Sequence, residues 1–259
     1  MILIRLFLTF IAMSSTLLSK DVLLLSEDFN DTQSTCAQAL LRHPEIELAK
    51  DAGPDGSDAI RVNYVGGKMG SKRVVINYPL EQKVDHAILS FDVFFEDDWQ
   101  FVRGGKMHGL GPKKPITGGK RRQPNGWSSR IMFSKKGRVH NYLYDQNPDL
   151  TYGFGGTTAE PVFEKGKWQH VVLETQLNDA GQANGFAKTS VDGQEVLFND
   201  GMEFRGKDGK DTLIQKFLFS TFHGGNDPSW APKDANGNYI TVHALFDNII
   251  IVAPQNRQE

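Results

Sequence analysis

The chain has 259 residues, enough for one large domain or two small ones and therefore for a sizeable hydrophobic core. Hydrophobic residues make up 39% of it and charged residues 23%, a balance that excludes an intrinsically disordered chain. The net charge of −2 indicates no class of partner by itself. The single cysteine, Cys36, excludes both an intrachain disulfide and a cysteine-based zinc site.

The N-terminal residues have the pattern of a secretory signal peptide. One basic residue, Arg5, precedes the apolar run Leu6–Met13, and small polar residues follow it. This run is shorter than the roughly 20 residues that a membrane-spanning helix needs, so we expect cleavage rather than membrane anchoring. We therefore predict a signal peptide over residues 1–19, a single domain over residues 20–259, and a secreted protein, extracellular or periplasmic.

Beyond this segment, short runs of β-forming residues alternate with turn residues. The runs occupy residues 87–95, 127–134, 138–145, 168–175, 187–191, 194–198, 217–222 and 239–252. Asp192-Gly193 has the preference for positive φ that a tight hairpin turn needs. Helical periodicity is convincing only over Thr35–Arg42. Strands at this spacing, without long helices between them, predict an all-β fold, an antiparallel sandwich or jelly roll.

The charge is balanced over the whole chain but not between Asp98 and Asp145. No acidic residue lies between these two positions, whereas eleven of the 29 basic residues do. A region of one sign attracts polyanions. Nucleic acid is disfavoured because the region has no nucleic-acid-binding motif and the protein is expected to be secreted, so we predict an acidic polysaccharide partner. The alternative is that carboxylates from elsewhere in the fold neutralise these charges.

A β-hairpin can be derived inside this basic region. Residues 127–134 and 138–145 flank the loop Lys135-Lys136-Gly137, whose glycine suits the left-handed position of a three-residue turn. This register places four pairs on one face: Ser134 opposite Arg138, Met132 opposite His140, Arg130 opposite Tyr142, and Ser128 opposite Tyr144. The other face is mostly apolar. We interpret the first face as a candidate site, with simple β-propensity as the alternative explanation of its tyrosines.

Arginine, lysine and tyrosine together suit β-elimination on a uronic acid polymer. Each sugar of such a polymer carries a carboxylate at C5, and cations can neutralise it while the weakly acidic C5 proton is removed. Neighbouring cations are expected to lower the pKa of a tyrosine from about 10, so that it can act as base and then as acid on O4.

Hydrolysis is the rival chemistry, and it normally requires a pair of carboxylates on either side of the scissile bond. The most obvious acidic cluster, Glu96-Asp97-Asp98, is more typical of a strand end, because adjacent residues on a strand point to opposite faces.

Several short motifs occur together between Ala87 and the C-terminus. They are FVRGGKMHGL at 101–110, GG at 118–119, GWSSRIM at 126–132, YLY at 142–144, GKW at 166–168 and STFHGGNDPSWAP at 220–232. Together they resemble polysaccharide lyase family 14, the alginate lyases of the heparin-lyase-like jelly-roll group. The resemblance implies a β-jelly roll of two antiparallel sheets whose concave face forms the substrate cleft. It implies no metal ion and no cofactor.

The resemblance also implies a catalytic set, which falls on Lys106, Ser128, Arg130, Tyr142 and Tyr144. Arg130 and Lys106 would bind and neutralise the carboxylate. Tyr142 or Tyr144 would be the base and the acid, and Ser128 would hydrogen-bond the sugar or a tyrosine.

Three histidines and a tryptophan accompany this set. His140 lies on the polar face of the hairpin and is a candidate substrate-binding residue. His223 is a second candidate, although it is equally suited to holding the adjacent Gly-Gly loop in place. His108 stands where proline is common in the family, which predicts a loop of different shape and a different substrate preference. Trp230 is expected to pack.

The sequence as a whole predicts a secreted, monomeric lyase that cleaves alginate, preferentially at mannuronate, by β-elimination. It predicts no nucleic-acid partner, and no membrane partner after signal cleavage. A lyase for another polyuronate such as glucuronan is the alternative within enzymes. A non-catalytic module that binds acidic polysaccharide is the alternative from another class, although a binder needs the cations and not the paired tyrosines.

Overall fold

The computed structural model describes residues 21–255, and the predicted signal peptide lies outside them. The elements in chain order are β1 (Val22–Glu27), α1 (Thr35–Leu41), β2 (Ile46–Ala49), β3 (Ala59–Gly67), β4 (Gly70–Ser71), β5 (Val74–Val84), β6 (His86–Phe95), β7 (Gly104–Gly111), β8 (Ser128–Ser134), β9 (Val139–Tyr144), β10 (Trp168–Gln176), β11 (Gly185–Val191), β12 (Gln194–Met202), β13 (Ile214–His223) and β14 (Thr241–Ala253). Within residues 21–255, the structure contains no helix of the length and hydropathy required to span a bilayer.

The strands form two antiparallel sheets. The larger has the order β12-β11-β10-β6-β14-β3-β2, with β1 added beside β14 and β4 beside β3. The smaller has the order β5-β13-β7-β8-β9. The predicted all-β jelly roll is therefore confirmed, and the predicted helix is present as α1.

The hydrophobic core lies between the two sheets. On β6 the side chains alternate, so that Leu89, Phe91 and Val93 are buried while their neighbours are only partly covered. From the smaller sheet, Ile131 and Phe133 on β8 join the same core. Burial of each such side chain contributes about 1.5–3 kcal/mol. This alternation leaves the opposite face of β8 free to carry polar side chains.

The β8–β9 hairpin has the predicted register. Ser128 pairs with Tyr144, Arg130 with Tyr142, and Met132 with His140. In the connecting loop Gly137 adopts a φ of 79°, the left-handed conformation that the sequence predicted. All of these pairs stand on the face of the smaller sheet that points away from the core.

Strand β7 was not predicted, because four of its eight residues are glycine. These glycines leave room for neighbouring groups: a Cβ on Gly105 would lie 2.2 Å from the Phe133 ring, and one on Gly109 would lie 2.1 Å from the Ser129 carbonyl oxygen. The pairing of β7 with β8 is interrupted between Lys106 and Gly109. As a result, Met107 and His108 are both buried, whereas Lys106 faces away from the core.

Candidate active site

A cleft of about 730 Å³ lies on the outer face of the five-stranded sheet. Every strand of that sheet contributes at least one side chain to it, as shown by Asn77 of β5, Ser220 of β13, Lys106 of β7, Arg130 of β8 and Tyr142 of β9. The regular spacing of the strands thus brings together residues that are far apart in sequence. The predicted hairpin face forms one side of this cleft.

The cleft is strongly cationic. Arg73, Lys106, Lys120 and Arg130 line it, and its lining within the described chain includes no Asp or Glu. Of the eleven basic residues between Asp98 and Asp145, two have a carboxylate within 4 Å among residues 21–255, namely Arg103 and Lys113. Neutralisation by distant carboxylates therefore does not explain most of this charge.

The acidic cluster at the end of β6 lies elsewhere. Glu96 pairs with Arg61 of β3 at 2.7 Å, and Asp98 pairs with His243 of β14, both of them strands of the larger sheet. These carboxylates are engaged with partners and do not line the cationic cleft. A hydrolase with paired carboxylates is not supported by this geometry.

Arg130 is the most unusual group in the cleft. It is only 4% exposed, yet its Nε and Nη2 atoms have no hydrogen-bond partner within the described structure. Burial lowers its pKa, and Tyr142 and Tyr144 partly offset this effect, but a guanidinium keeps its charge in proteins. A buried charge is costly unless it is paired. Arg130 is therefore suited to receive a carboxylate from a ligand through two parallel hydrogen bonds.

Lys106 lies beside Tyr142 in the same cleft. Its Nζ lies 3.0 Å from the Met132 sulfur and 3.7 Å from the centroid of the Tyr142 ring. Burial, followed by the charges of Arg130 and Arg73, holds the pKa of Lys106 well below its usual range. A neutral amine is therefore more accessible here than at a surface lysine, and a neutral amine can act as a base.

Tyr142 and Tyr144 are joined by a hydrogen bond of 3.2 Å between their hydroxyls. Burial raises the pKa of Tyr142 above its usual value, Tyr144 adds to this effect, and Arg130 offsets it only in part. The expected net lowering of the tyrosine pKa does not hold for Tyr142, because Arg130 lowers this pKa by less than burial and Tyr144 raise it. Tyr142 keeps its proton and is suited to donate it.

Tyr144 and Ser128 lie beneath the cleft and do not line it. Tyr144 is fully buried, and its hydroxyl accepts a hydrogen bond from the Gly119 amide at 3.0 Å. Ser128 is also fully buried, and its hydroxyl donates to the Ile116 carbonyl oxygen at 2.9 Å. The prediction that Ser128 bonds the sugar or a tyrosine does not agree with this placement. Ser128 fixes the segment before β8 instead.

The two candidate substrate-binding histidines have different surroundings. His140 lines the cleft, with its Nδ1 2.7 Å from the Thr157 hydroxyl, and burial followed by the charge of Lys106 lowers its pKa to about 4. His223 is fully buried, stacks on Trp99 at 4.9 Å between ring centroids, and places its Nε2 2.6 Å from the Gln100 carbonyl oxygen. His223 does not line the cleft, so the prediction of substrate binding by His223 gives way to the structural alternative.

A family model described as polysaccharide lyase 14 matches residues 54–242. The chain belongs to the polysaccharide lyase 14 family. This confirms the resemblance seen in the sequence motifs and supports the predicted enzyme class.

Individual relatives share modest identity with this family member. Exolysin of Paramecium bursaria Chlorella virus 1 is 24% identical over 177 residues, which cover 54% of this chain and 26% of exolysin. The chain thus spans about a quarter of the length of that curated relative. The marine PL-14 alginate lyase from Aplysia kurodai is 21% identical with a TM-score of 0.66, covering 90% of this chain and 100% of that chain. The alginate lyase vAL-1 from Chlorella virus is 20% identical with the same TM-score and coverages. At these identities the similarity shows the fold.

Arg73 and Trp230 are among the residues lining this polysaccharide lyase 14 cleft that sequence reasoning did not assign to the site. Arg73 directly precedes β5, a strand that was not predicted. Trp230 was expected to pack, but it lies in the cleft wall, with the Arg103 guanidinium 4.8 Å from its ring centroid. The sequence signal that could have placed Trp230 in the cleft is an aromatic residue in a glycine-rich loop. No sequence signal indicated Arg73.

Proposed function

We propose that this protein is a secreted polysaccharide lyase that cleaves alginate, preferentially at mannuronate, by metal-independent β-elimination. One observation carries the proposal: a buried guanidinium without a carboxylate partner, Arg130, faces a cleft together with Lys106 and Tyr142. Membership of polysaccharide lyase family 14 supports the reaction class. The signal-peptide pattern of residues 1–19 supports secretion, and we propose a monomer.

The carboxylate of the sugar would bind Arg130. As the C5 proton leaves, negative charge spreads into this carboxylate, and the guanidinium stabilises it. No carboxylate lines the cleft among the described residues, so Arg130 is free to bind the sugar carboxylate. Its attraction to that group strengthens as negative charge develops there. This arrangement selects polymers with an acid group at C5 over neutral glycans.

Proton transfer would involve Lys106 and Tyr142. The neutral amine of Lys106 takes the C5 proton, the C5–H electrons form the C4=C5 double bond, and the C4–O4 bond breaks. The departing O4 takes the hydroxyl proton of Tyr142. The ammonium of Lys106, which lies against the Tyr142 ring, then returns a proton to the phenolate and restores both groups. In mannuronate the C5 hydrogen and O4 lie on one side of the sugar, as this one-sided arrangement requires.

The direct test is ultraviolet absorbance of the new C4=C5 double bond, with purified protein on poly-mannuronate, poly-guluronate and glucuronan in parallel. We expect the fastest rise on poly-mannuronate. A rise on glucuronan alone would identify glucuronan, and not alginate, as the substrate. No rise on any polymer, with retarded migration in a polysaccharide gel, would establish a binding module and overturn the lyase proposal.

Tyr142→Phe tests the assignment of the acid. It should lower kcat by about 10²–10⁴-fold while leaving KM nearly unchanged, because only proton transfer is lost. Tyr239→Phe is the matched control, since Tyr239 is 41% exposed and lies outside the cleft. A kcat for Tyr142→Phe within threefold of the control, about 0.6 kcal/mol in barrier, would remove Tyr142 from the reaction.

A further inference from the structure

Two loops meet above the buried tyrosine of the site. Residues 112–127 connect β7 to β8, and residues 145–167 connect β9 to β10. The first loop carries Lys120 and the second carries Tyr152 into the cleft wall. The ring of Tyr152 is close enough to Gly119 that a Cβ there would lie 3.1 Å from it. The loops are therefore in direct contact beside Tyr144.

Arg122 of the first loop joins it to the second. Its Nη2 donates to the Tyr152 carbonyl oxygen at 3.0 Å, and its Nη1 donates to that of Thr151 at 3.5 Å. Its guanidinium carbon lies 4.4 Å from the centroid of the Tyr144 ring, and its Nε is buried without a hydrogen-bond partner. A planar fork that bonds two adjacent carbonyls and stacks on an aromatic ring is a geometry that lysine cannot reproduce.

The same loop fixes the hydroxyl of Tyr144. That oxygen accepts a hydrogen bond from the Gly119 amide, which leaves its own proton available for the Tyr142 oxygen 3.2 Å away. A hydrogen bond donated to Tyr142 is strongest when Tyr142 is a phenolate, the state that follows proton donation.

We propose that Arg122 is a positioning residue, which clamps the two loops and directs the Tyr144 hydroxyl toward Tyr142. The assignment rests on the proposed function, because the phenolate arises in that reaction. Arg122 does not line the cleft, so we place it out of contact with the substrate. It acts through Tyr144, and its loss affects kcat by that route.

Steady-state kinetics on the polymer that the wild-type protein cleaves would test the route. Arg122→Ala should lower kcat about 10–100-fold, and Arg122→Lys should recover only part of it, since the charge remains without the fork. Arg121→Ala is the matched control: the neighbouring arginine is exposed and makes no hydrogen bond or ion pair within residues 21–255. We expect its kcat within about twofold of wild type.

A double-mutant cycle separates positioning from general damage. In a Tyr144→Phe background, Arg122→Ala should change kcat by less than about threefold, because no hydroxyl remains to be directed. An undiminished effect in that background, or an unchanged kcat in the single variant, would overturn the proposal.

Nitration by tetranitromethane, read by peptide mass spectrometry, gives an answer that does not require catalysis. Tyr144 should be protected in the wild-type protein and in Arg121→Ala, but modified in Arg122→Ala. Continued protection of Tyr144 in Arg122→Ala would overturn the clamp. Loss of protection, in a protein that cleaves none of the three polymers, would leave the clamp standing and remove the proposed function alone.

Discussion

Replacing His108 with phenylalanine should remove an acid-sensitive group from the core. The imidazole is fully buried and packs against Phe219, Phe246 and Phe91, with ring centroids 4.2, 4.6 and 4.7 Å away. Burial lowers its pKa to about 3, and the backbone of Ser220 offsets this only in part. The folded protein therefore holds a neutral ring, whereas the unfolded chain binds a proton there below a pH of about 6.5.

The size of the effect follows from proton linkage. Stability falls as the pH drops from about 6.5 toward the folded-state pKa, because the unfolded state binds the proton and the folded state does not. Each pH unit in this window costs about 1.4 kcal/mol, so a change from about pH 7.5 to about pH 4.5 costs about 2.7 kcal/mol for this ring. Burial also lowers the pKa of His223, to about 4. His223 contributes equally to the stability of wild type and variant, so its contribution cancels in their difference.

Urea unfolding of wild type and His108→Phe at both pH values measures this difference. We expect the variant to gain about 2–3 kcal/mol relative to wild type on going to the acidic condition. His170→Gln is a control of opposite sign, because the hydrogen bond to Asp92 raises the pKa of His170 and stabilises the fold at acidic pH. If the difference between wild type and His108→Phe changes by less than about 0.5 kcal/mol, the linkage argument is refuted.

Two further predictions concern buried charge. Asp247 is fully buried, and burial raises its pKa to about 6, so stability falls as the pH rises from about 4, where the unfolded chain ionises, toward 6, and stays lowered above that value. Asp247→Asn should therefore stabilise the fold by about 1–3 kcal/mol near pH 8, an advantage that thermal unfolding should show to be absent below about pH 4. Arg130→Lys keeps the charge but loses the two-pronged contact, and initial rates should show kcat/KM reduced by about 10²-fold; a near-normal value would exclude paired hydrogen bonding to the sugar carboxylate.

The sequence predicted the parts of the site that depend on local geometry. The register of β8 with β9 follows from a three-residue loop and strict alternation, and it correctly placed Arg130 opposite Tyr142. The basic region could be recognised because its basic residues lie in one segment of the chain that contains no acidic residue. The hairpin signal lies within residues 128–144, where turn chemistry and side-chain alternation dominate, and the basic residues lie within the single stretch between Asp98 and Asp145.

The remaining features depend on contacts across the fold. Glycines made β7 unlike a strand, because their role is to accommodate Phe133 and Ser129 of the neighbouring β8. The cations near Tyr142 were predictable, but the burial that outweighs them was not. At His223 the sequence showed only a titratable residue next to a turn. The packing of its ring against Trp99 in the structure shows that the ring points into the core.

The interrupted pairing in β7 links the burial of a core histidine, His108, to the direction of a cleft lysine, Lys106. Because the interruption of pairing turns both Met107 and His108 inward, it also sets the direction in which Lys106 points. A change that restored regular alternation would rotate the lysine out of the cleft or the histidine out of the core. The acid sensitivity contributed by His108 and the proposed catalytic role of Lys106 therefore depend on the same irregularity, and engineering one of them requires re-optimising the other.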